Sequence, residues 1–421
     1  MPFIVLEASD GVAASFASTA HVRLFSSWQM NVDRAAARLL ERVGWDAPDP
    51  AELPTAGELR TQYLEPLATL LGADIRFGVR VESVSRRGFD KVKTTGRESA
   101  PFVLRLRTSA GHEDIEASAV IDASGTWANP SWMGANGLPA IGEREHAARI
   151  RYGMPDVLGS QRSRYANKRV LVVGAGHSAA GSLLALAELA SSAPRTSIVW
   201  AVRGKNLARV FGGGESDGLP ERGELGSRLR ALVDAGQLEL VRGLHIEAVT
   251  EHGARLTVQG TGETGAEHIE NLDEIIVATG ARPDLSLARE LRLRLDPWLE
   301  SSEALAPLID PNVHNCGSVP PHGHRELSHP EAGYYAVGAK SYGRAPNFLL
   351  ATGYEQVRSV VAALAGDLAS ADHVQLELPE TGVCSVAVAD QGGGCCAVPA
   401  QPAATGCCPV PREPAPRSCC A

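Results

Sequence analysis

Residues 169–190 read RVLVVGAGHSAAGSLLALAELA. Residues 169–173 are a short apolar, β-branched run, Gly174 and Gly176 punctuate it, and a helix-like pattern of Ala, Leu and one Glu follows. Strand, glycine turn and helix in that order make Gly174-Ala-Gly176-His-Ser-Ala179 a dinucleotide-binding fingerprint. Gly174 permits the tight turn, Gly176 lets the backbone approach a pyrophosphate, and Ala179 keeps the helix close to the sheet. The helix N-terminus then faces the negative charge. A glycine turn in an ordinary βα unit is the competing reading, and the strand and helix on either side weigh against it.

A chain of 421 residues can bury two sizeable cores. With 44% hydrophobic and 21% charged residues and 43 glycines, it has the composition of a soluble α/β protein. A formal net charge of -9 favours neither nucleic acid nor an anionic membrane as partner. No uninterrupted apolar stretch reaches membrane-spanning length. The start, MPFIVLEASDGV, has no basic leader and meets Glu7 and Asp10 at once. It reads as a strand and turn rather than a signal peptide, and the cytoplasm is the expected compartment.

Residues 3–6 form an apolar strand ending in Glu7, with Gly11 in the turn that follows. That is how a dinucleotide fold holds an adenosine ribose hydroxyl, and the acid ordinarily stands about twenty residues after a glycine-rich loop. Here six residues precede it. The expectation is a first strand and glycine loop missing from this sequence, which would leave a parallel sheet without a central member. Glu7 as a solvated strand-end acid is the plainer alternative. In HVRLFSSWQM (21–30), Arg23, Trp28 and Gln29 are candidates to face a ring system or phosphate, with Trp28 equally a core residue. Helices are expected over 32–43 and 58–71, the second with a Thr55/Glu58 cap. Strands are expected over 77–84, 102–106 and 119–121. The last runs into Asp122-Ala-Ser-Gly125-Thr-Trp127.

After an irregular connector (128–167), the fingerprint strand begins a second unit. Its next strand, 197–202, is followed by Arg203 and not by the carboxylate that would select NADH. Arg203, with Lys205 and Arg209 nearby, can meet a 2′-phosphate, so NADPH is the preferred donor; a solvated basic loop is the alternative. A helix over 227–235 and short strands over 238–242, 246–250 and 254–258 lead to a strand at 275–278. That strand enters Thr279-Gly280-Ala-Arg282-Pro283-Asp284, matching the edge at Gly125. The two halves thus repeat one grammar. His314, Cys316, His322 and His324 close the next segment. A strand over 334–338, a polar loop over 340–346 (with Lys340 and Arg344) and a helix over 348–364 return the chain to the first unit, with the helix N-terminus facing a cofactor.

With both halves placed, the chain resembles the two-dinucleotide-domain flavoproteins that include thioredoxin-reductase-like enzymes and flavin-containing monooxygenases. The matching segments are IVLEAS (4–9), DASGTW (122–127), VVGAGHSA (172–179), VATGARPD (277–284) and YYAVGAKSYGRAPNFLLATGYEQ (334–356). The resemblance implies an α/β fold of two Rossmann-like FAD/NAD(P)-binding domains, the second inserted in the first. Residues 1–166 and 301–385 would form the FAD domain, 167–300 the NAD(P)H domain, and 386–421 a disordered cysteine-rich tail. It places FAD against Glu7, Gly125 and the Gly338 loop, and NADPH against Gly174, Gly176, Ala179 and Arg203; Arg23 and Gly280 are further candidate cofactor contacts. No internal CxxC stands beside the flavin, as a thioredoxin-reductase mechanism would want. Residues 140–146 (AIGEREH) are similar to the FxGxxxH signature of flavin monooxygenases, with Ala140 in place of the aromatic. HVRLFSSW, HNCGSVPPHG and LPETGVC before a cysteine-rich tail are similar to flavoproteins encoded with bacterial arsenic-resistance genes.

The tail carries three vicinal pairs at a twelve-residue period: Cys395-Cys396, Cys407-Cys408 and Cys419-Cys420. Thiolates prefer soft ions, so these six are the candidate metal ligands, for As(III), Hg(II) or Cu(I). They would capture a thiophilic ion for the flavin or shuttle electrons by thiol–disulfide exchange; a low-complexity tail with incidental thiols is the bland alternative. The leading expectation is an NADPH- and FAD-dependent monooxygenase that uses O2 and acts on a small substrate such as a trivalent arsenical or its thiol adduct. The alternatives are an NADPH-dependent thiol or metalloid reductase using the tail cysteines, and a non-enzymatic metalloid binder. No catalytic side chain is assigned, and a second copy of the chain is a candidate partner.

Overall fold

The computed structural model describes residues 2–212, 220–314, 319–346 and 348–376. Its first strands, β1 (Val5–Leu6) and β2 (Ile75–Arg76), pair in parallel, with Val5 opposite Ile75. Two of the helices between them start where a side chain caps them. Asp33 accepts the Ala36 N–H ahead of Arg34–Glu41, and Thr55 and Glu58 form a full capping box ahead of Ala56–Leu59. The run expected over 58–71 contains a π turn, Arg60–Leu64, before Glu65–Leu71. Such a wide turn shifts the helical register, and it carries Tyr63 into a cluster with Trp28, Leu40 and Leu59. Trp28 is therefore core.

Three antiparallel strands follow: β3 (Arg80–Arg86), β4 (Phe102–Thr108) and β5 (Gly111–Ala117). β4 alternates, burying Phe102, Leu104 and Leu106. β5 (GHEDIEA) carries too little apolar alternation to announce itself. The short β6 (Val120–Asp122) ends at the first glycine edge.

The fingerprint unit comprises β7 (Ile150–Tyr152), β8 (Arg169–Val173), β9 (Ser197–Val202), β10 (Glu239–Arg242), β11 (His245–His252), β12 (Arg255–Gly262), β13 (Gly265–Leu272) and β14 (Glu274–Val277). Five of these make a parallel sheet in the order β10-β9-β8-β14-β7. Both faces are covered, which is why β8 and β14 read as continuous apolar runs. Helix His177–Ser192 lays Leu183, Leu186 and Leu189 on one face. The β11–β12–β13 meander packs Leu256, Val258, Ile269 and Leu272 against Leu171, Val199 and Ile275 on the other. β13 was not expected, for the same reason as β5.

β15 (Tyr334–Ala336) then pairs in parallel with β6, Tyr334 opposite Val120. The unit from β7 to β14 is therefore inserted between two neighbouring strands of the first unit. The architecture is α/β, with two Rossmann-like domains. The ladders β1–β2 and β6–β15 are separate two-stranded sheets among the described residues. No described helix is long and apolar enough to cross a membrane.

Candidate functional site

The fingerprint residues divide their work. Gly174 sits at φ +133°, and a Cβ there would lie 2.2 Å from the Ala278 carbonyl oxygen, so β8 and β14 can close only over glycine. Ala179, in the first turn of helix His177–Ser192, is fully buried in a cluster with Val170 and Val172 of β8. Gly176 differs: a Cβ there would meet no atom within 4 Å, and no side chain caps helix His177–Ser192. A helix N-terminus with no side-chain cap and open space at Gly176 suits an anion, so these residues fit a dinucleotide pyrophosphate. Arg203 stands exposed at the end of β9, and its Nη1 donates to the Ala135 carbonyl at 3.1 Å. Lys205 pairs with Glu263 at 2.7 Å.

Three left-handed glycines end the strands that meet here: Gly125 after β6, Gly280 after β14 and Gly338 after β15. Ser131 N–H donates to the Gly280 carbonyl, Arg282 N–H to Asn129, and Thr279 Oγ1 to Ser131, joining the first two edges. A buried ion pair joins the first and third. Lys340 Nζ lies 2.6 Å from Asp122 Oδ2, and it donates to Ser124 Oγ at 2.9 Å. Ser124 Oγ in turn donates to Asp122 Oδ1 and the Tyr334 hydroxyl to Oδ2. Burial, and then the Asp122 charge beside it, raises the Tyr334 phenol far above its ordinary range. The stretch expected as a polar loop from Lys340 thus begins with three buried residues, Lys340, Ser341 and Tyr342. No local pattern shows this, because the partners lie more than two hundred positions away.

The Gly338 turn (Gly338–Lys340) is also held from behind. Its N–H donates to Oε1 of Gln356, a fully buried residue of helix Leu350–Leu364. Gln356 Nε2 donates to Ser341 Oγ and to His322 Nε2, both at 2.9 Å. A lone Gln on a return helix gave no signal in the sequence. A Cβ built at Gly338 would meet nothing within 4 Å, leaving the front of the turn open. Gly125 and Gly338 with that open space fit the approach of a planar ring system and its ribityl chain.

The remaining candidates scatter. Glu7, half-buried at the end of β1, spends Oε1 on the N–H and Oγ of Ser9. Arg23 donates to the Leu53 carbonyl and bridges Thr55. Its neighbour Phe25, which sequence reasoning missed, stands edge-on to His177 with ring centroids 5.3 Å apart. His314 Nε2 faces the Pro307 carbonyl and His324 Nε2 faces Asp372, so the three histidines do not converge. Gly142 of the AIGEREH segment serves packing, since a Cβ there would lie 2.1 Å from the Val249 carbonyl oxygen. Among the described residues no three His, Cys, Asp or Glu side chains could hold a metal ion. The six tail cysteines, Cys316 and Cys384 lie outside the described residues.

No protein-family model matches the chain, and no curated protein matches it in sequence. Solved structures do. The chain is similar to bacillithiol disulfide reductase Bdr (YpdA) from Bacillus cereus, at 18% identity and a TM-score of 0.61, over 86% of this chain and 91% of that one. It is similar to DfoA bound to FAD, the desferrioxamine-pathway cadaverine monooxygenase of Erwinia amylovora, at 13% identity and a TM-score of 0.61, over 89% and 91%. The ornithine N-hydroxylase KtzI of Kutzneria, solved with reduced FAD, NADP+ and L-ornithine, follows at 15% identity and a TM-score of 0.54, over 87% and 91%. The chain has the fold of two-domain FAD/NAD(P)-binding oxidoreductases.

Proposed function

We propose that this chain is an NADPH- and FAD-dependent oxidoreductase that reduces a thiol-linked substrate, a disulfide or a thiol-bound metalloid. The vicinal cysteines of its tail would serve as the exchangeable dithiol. The observation that carries the cofactor reading is the helix His177–Ser192 N-terminus without a side-chain cap behind an open Gly176, together with the left-handed glycines Gly125 and Gly338 at the ends of the paired strands β6 and β15. The likeness to a bacillithiol disulfide reductase supports the reductase direction, and the three cysteine pairs supply the thiol chemistry. FAD, when bound, takes a hydride from NADPH and passes two electrons on. The chain's own residues orient and exclude: Gly174 closes the sheet crossing, Gly176 and the helix amides hold the pyrophosphate, and Arg203 selects the 2′-phosphate. Glu7 would meet the adenosine ribose of FAD, and the Gly125 and Gly338 edges would frame the ring. NADPH, a proton and a disulfide then give NADP+ and two thiols. A nucleotide domain over 167–300 that borrows β7 from the connector before it, a return over 301–385, and work in a reducing compartment such as the cytoplasm belong to this reading.

The likeness to the cadaverine monooxygenase favours a second reading, oxygen transfer to a trivalent arsenical. Anaerobic NADPH oxidation that releases two thiols per NADPH from a disulfide substrate supports the reductase. NADPH oxidation that requires O2, one molecule per NADPH, with no thiol released, selects the oxygenase and sinks the reductase. Ending the chain after Ala389 tests the tail: unchanged disulfide turnover would show that its cysteines are not the dithiol.

A further inference from the structure

The Gly338 turn hangs on a chain of polar groups whose direction is locked by the backbone at both ends. Gly338 N–H can only donate, so the Gln356 atom 2.8 Å from it is Oε1. Gln356 Nε2 must then donate to Ser341 Oγ and to His322 Nε2. His322 Nε2 therefore accepts, and its ring proton sits on Nδ1, which lies 3.0 Å from the Pro320 carbonyl, a group that can only accept. Gln356 is fully buried and His322 is 4% exposed, so water cannot stand in for a lost partner. Only the neutral, Nδ1-protonated imidazole satisfies every member.

An imidazolium would set Nε2–H against the Gln356 NH2. Rotating that carboxamide by half a turn relieves the clash, but it points the NH2 at Gly338 N–H and leaves that half-buried backbone donor facing a donor. The charged groups around His322 do not remove the conflict. Glu326 on its own segment, which accepts the Gly323 N–H, favours the cation. Arg325 and His324 are both held by Asp372 of helix Leu368–Asp372. Gln356 and Ser359 of the return helix are neutral, and the Tyr342 ring lies 5.5 Å away. Burial outweighs Glu326 and holds the imidazole pKa below its ordinary value.

We propose that His322 and Gln356 are positioning residues for the flavin end of the site: they hold the Gly338 turn in its receptive form only while His322 is neutral. The proposal rests on the reading of Gly338 as a flavin contact. Protonation would release the turn, so FAD affinity is coupled to one proton and falls about tenfold per pH unit below the transition.

The test uses the full chain, wild type and His322→Gln, with two readouts. Nitrogen NMR of the imidazoles reports tautomer and titration without any flavin. FAD affinity is read by fluorescence quenching from about pH 8 to about pH 5. A wild-type His322 protonated on Nδ1 and titrating below the ordinary histidine range, with an FAD affinity that falls in step and is flat in His322→Gln, supports the relay. A proton on Nε2, an ordinary titration, or the same pH profile in the variant overturns it. A wild type that binds no FAD even at the alkaline end defeats the flavin reading instead, while the NMR still decides the polarity of the chain.

Discussion

Lys340 offers the sharpest test of how the site is held. Its ammonium and the Asp122 carboxylate are both buried, with side-chain exposures of 1% and 5%, at 2.6 Å. Lys340→Met keeps much of the stem's packing but strands a buried carboxylate with only hydroxyl and amide donors, from Tyr334 and Ser124. Removing one partner of a buried pair costs about 3–5 kcal/mol. Because those donors remain and each charge-assisted bond is worth about 1.5–3 kcal/mol, the lower end, about 3 kcal/mol, is expected. Adding Asp122→Asn removes the orphaned charge while keeping an acceptor for Tyr334, so the double variant should recover most of the loss, to within about 1 kcal/mol of wild type. Urea unfolding followed by tryptophan fluorescence measures both, with the slope unchanged if only stability has moved. A loss below about 1 kcal/mol in Lys340→Met, or a double variant no more stable than the single, would refute the pairing as the bolt between the β6 and β15 edges.

Two other outcomes separate fold from site. Gly174→Ala forces a Cβ to within 2.2 Å of the Ala278 carbonyl oxygen at φ +133°, so it should lose about 3 kcal/mol or more of stability. Gly176→Ala, which faces open space, should hold stability to within about 0.5 kcal/mol while raising the NADPH KM about tenfold; equal stabilities for the two would overturn this division. His329, desolvated and accepting the Arg294 N–H on Nδ1, has its pKa pushed down to about 4. Because its folded value lies below the unfolded one, its contribution is intact above about pH 6.5 and is lost as pH falls toward 4, by about 3 kcal/mol. His329→Gln should flatten that part of the pH–stability curve in urea unfolding, and an unchanged acid slope would count against it.

The fingerprint was legible because each of its signals is local. The β-branched run, the glycines two positions apart and the small residue in the first helical turn sit within eleven residues of one another. The Thr55–Glu58 cap was legible for the same reason, as a contact spanning three positions. Of the strands without a signal, β5 and β13 are polar over most of both faces, while β2, two residues long, and β7, three residues within the stretch expected as an irregular connector, are too short to show a period. Their pairing comes from the neighbouring strand and not from their own periodicity. Arg23 and Trp28 show the limit of reading residue types. Both suit a ring-binding loop, and only packing showed Trp28 among Leu40, Leu59 and Tyr63, and Arg23 turned onto the Leu53 carbonyl.

The sequence by itself determined that this chain is α/β, that a dinucleotide-type turn starts its second unit, and that the two units end their strands in matching glycine edges. These follow from dihedral preference and hydrophobic period, which act over a few residues. Only the tertiary structure decided what stands behind those edges. Lys340 and Ser124 are 216 positions apart, Tyr334 and Asp122 are 212, and His322 and Gln356 are 34. Each is polar in a stretch that would otherwise read as loop or helix surface. Burial obliges such groups to find partners, and which partners they find depends on where β15 and the return helix come to rest beside β6.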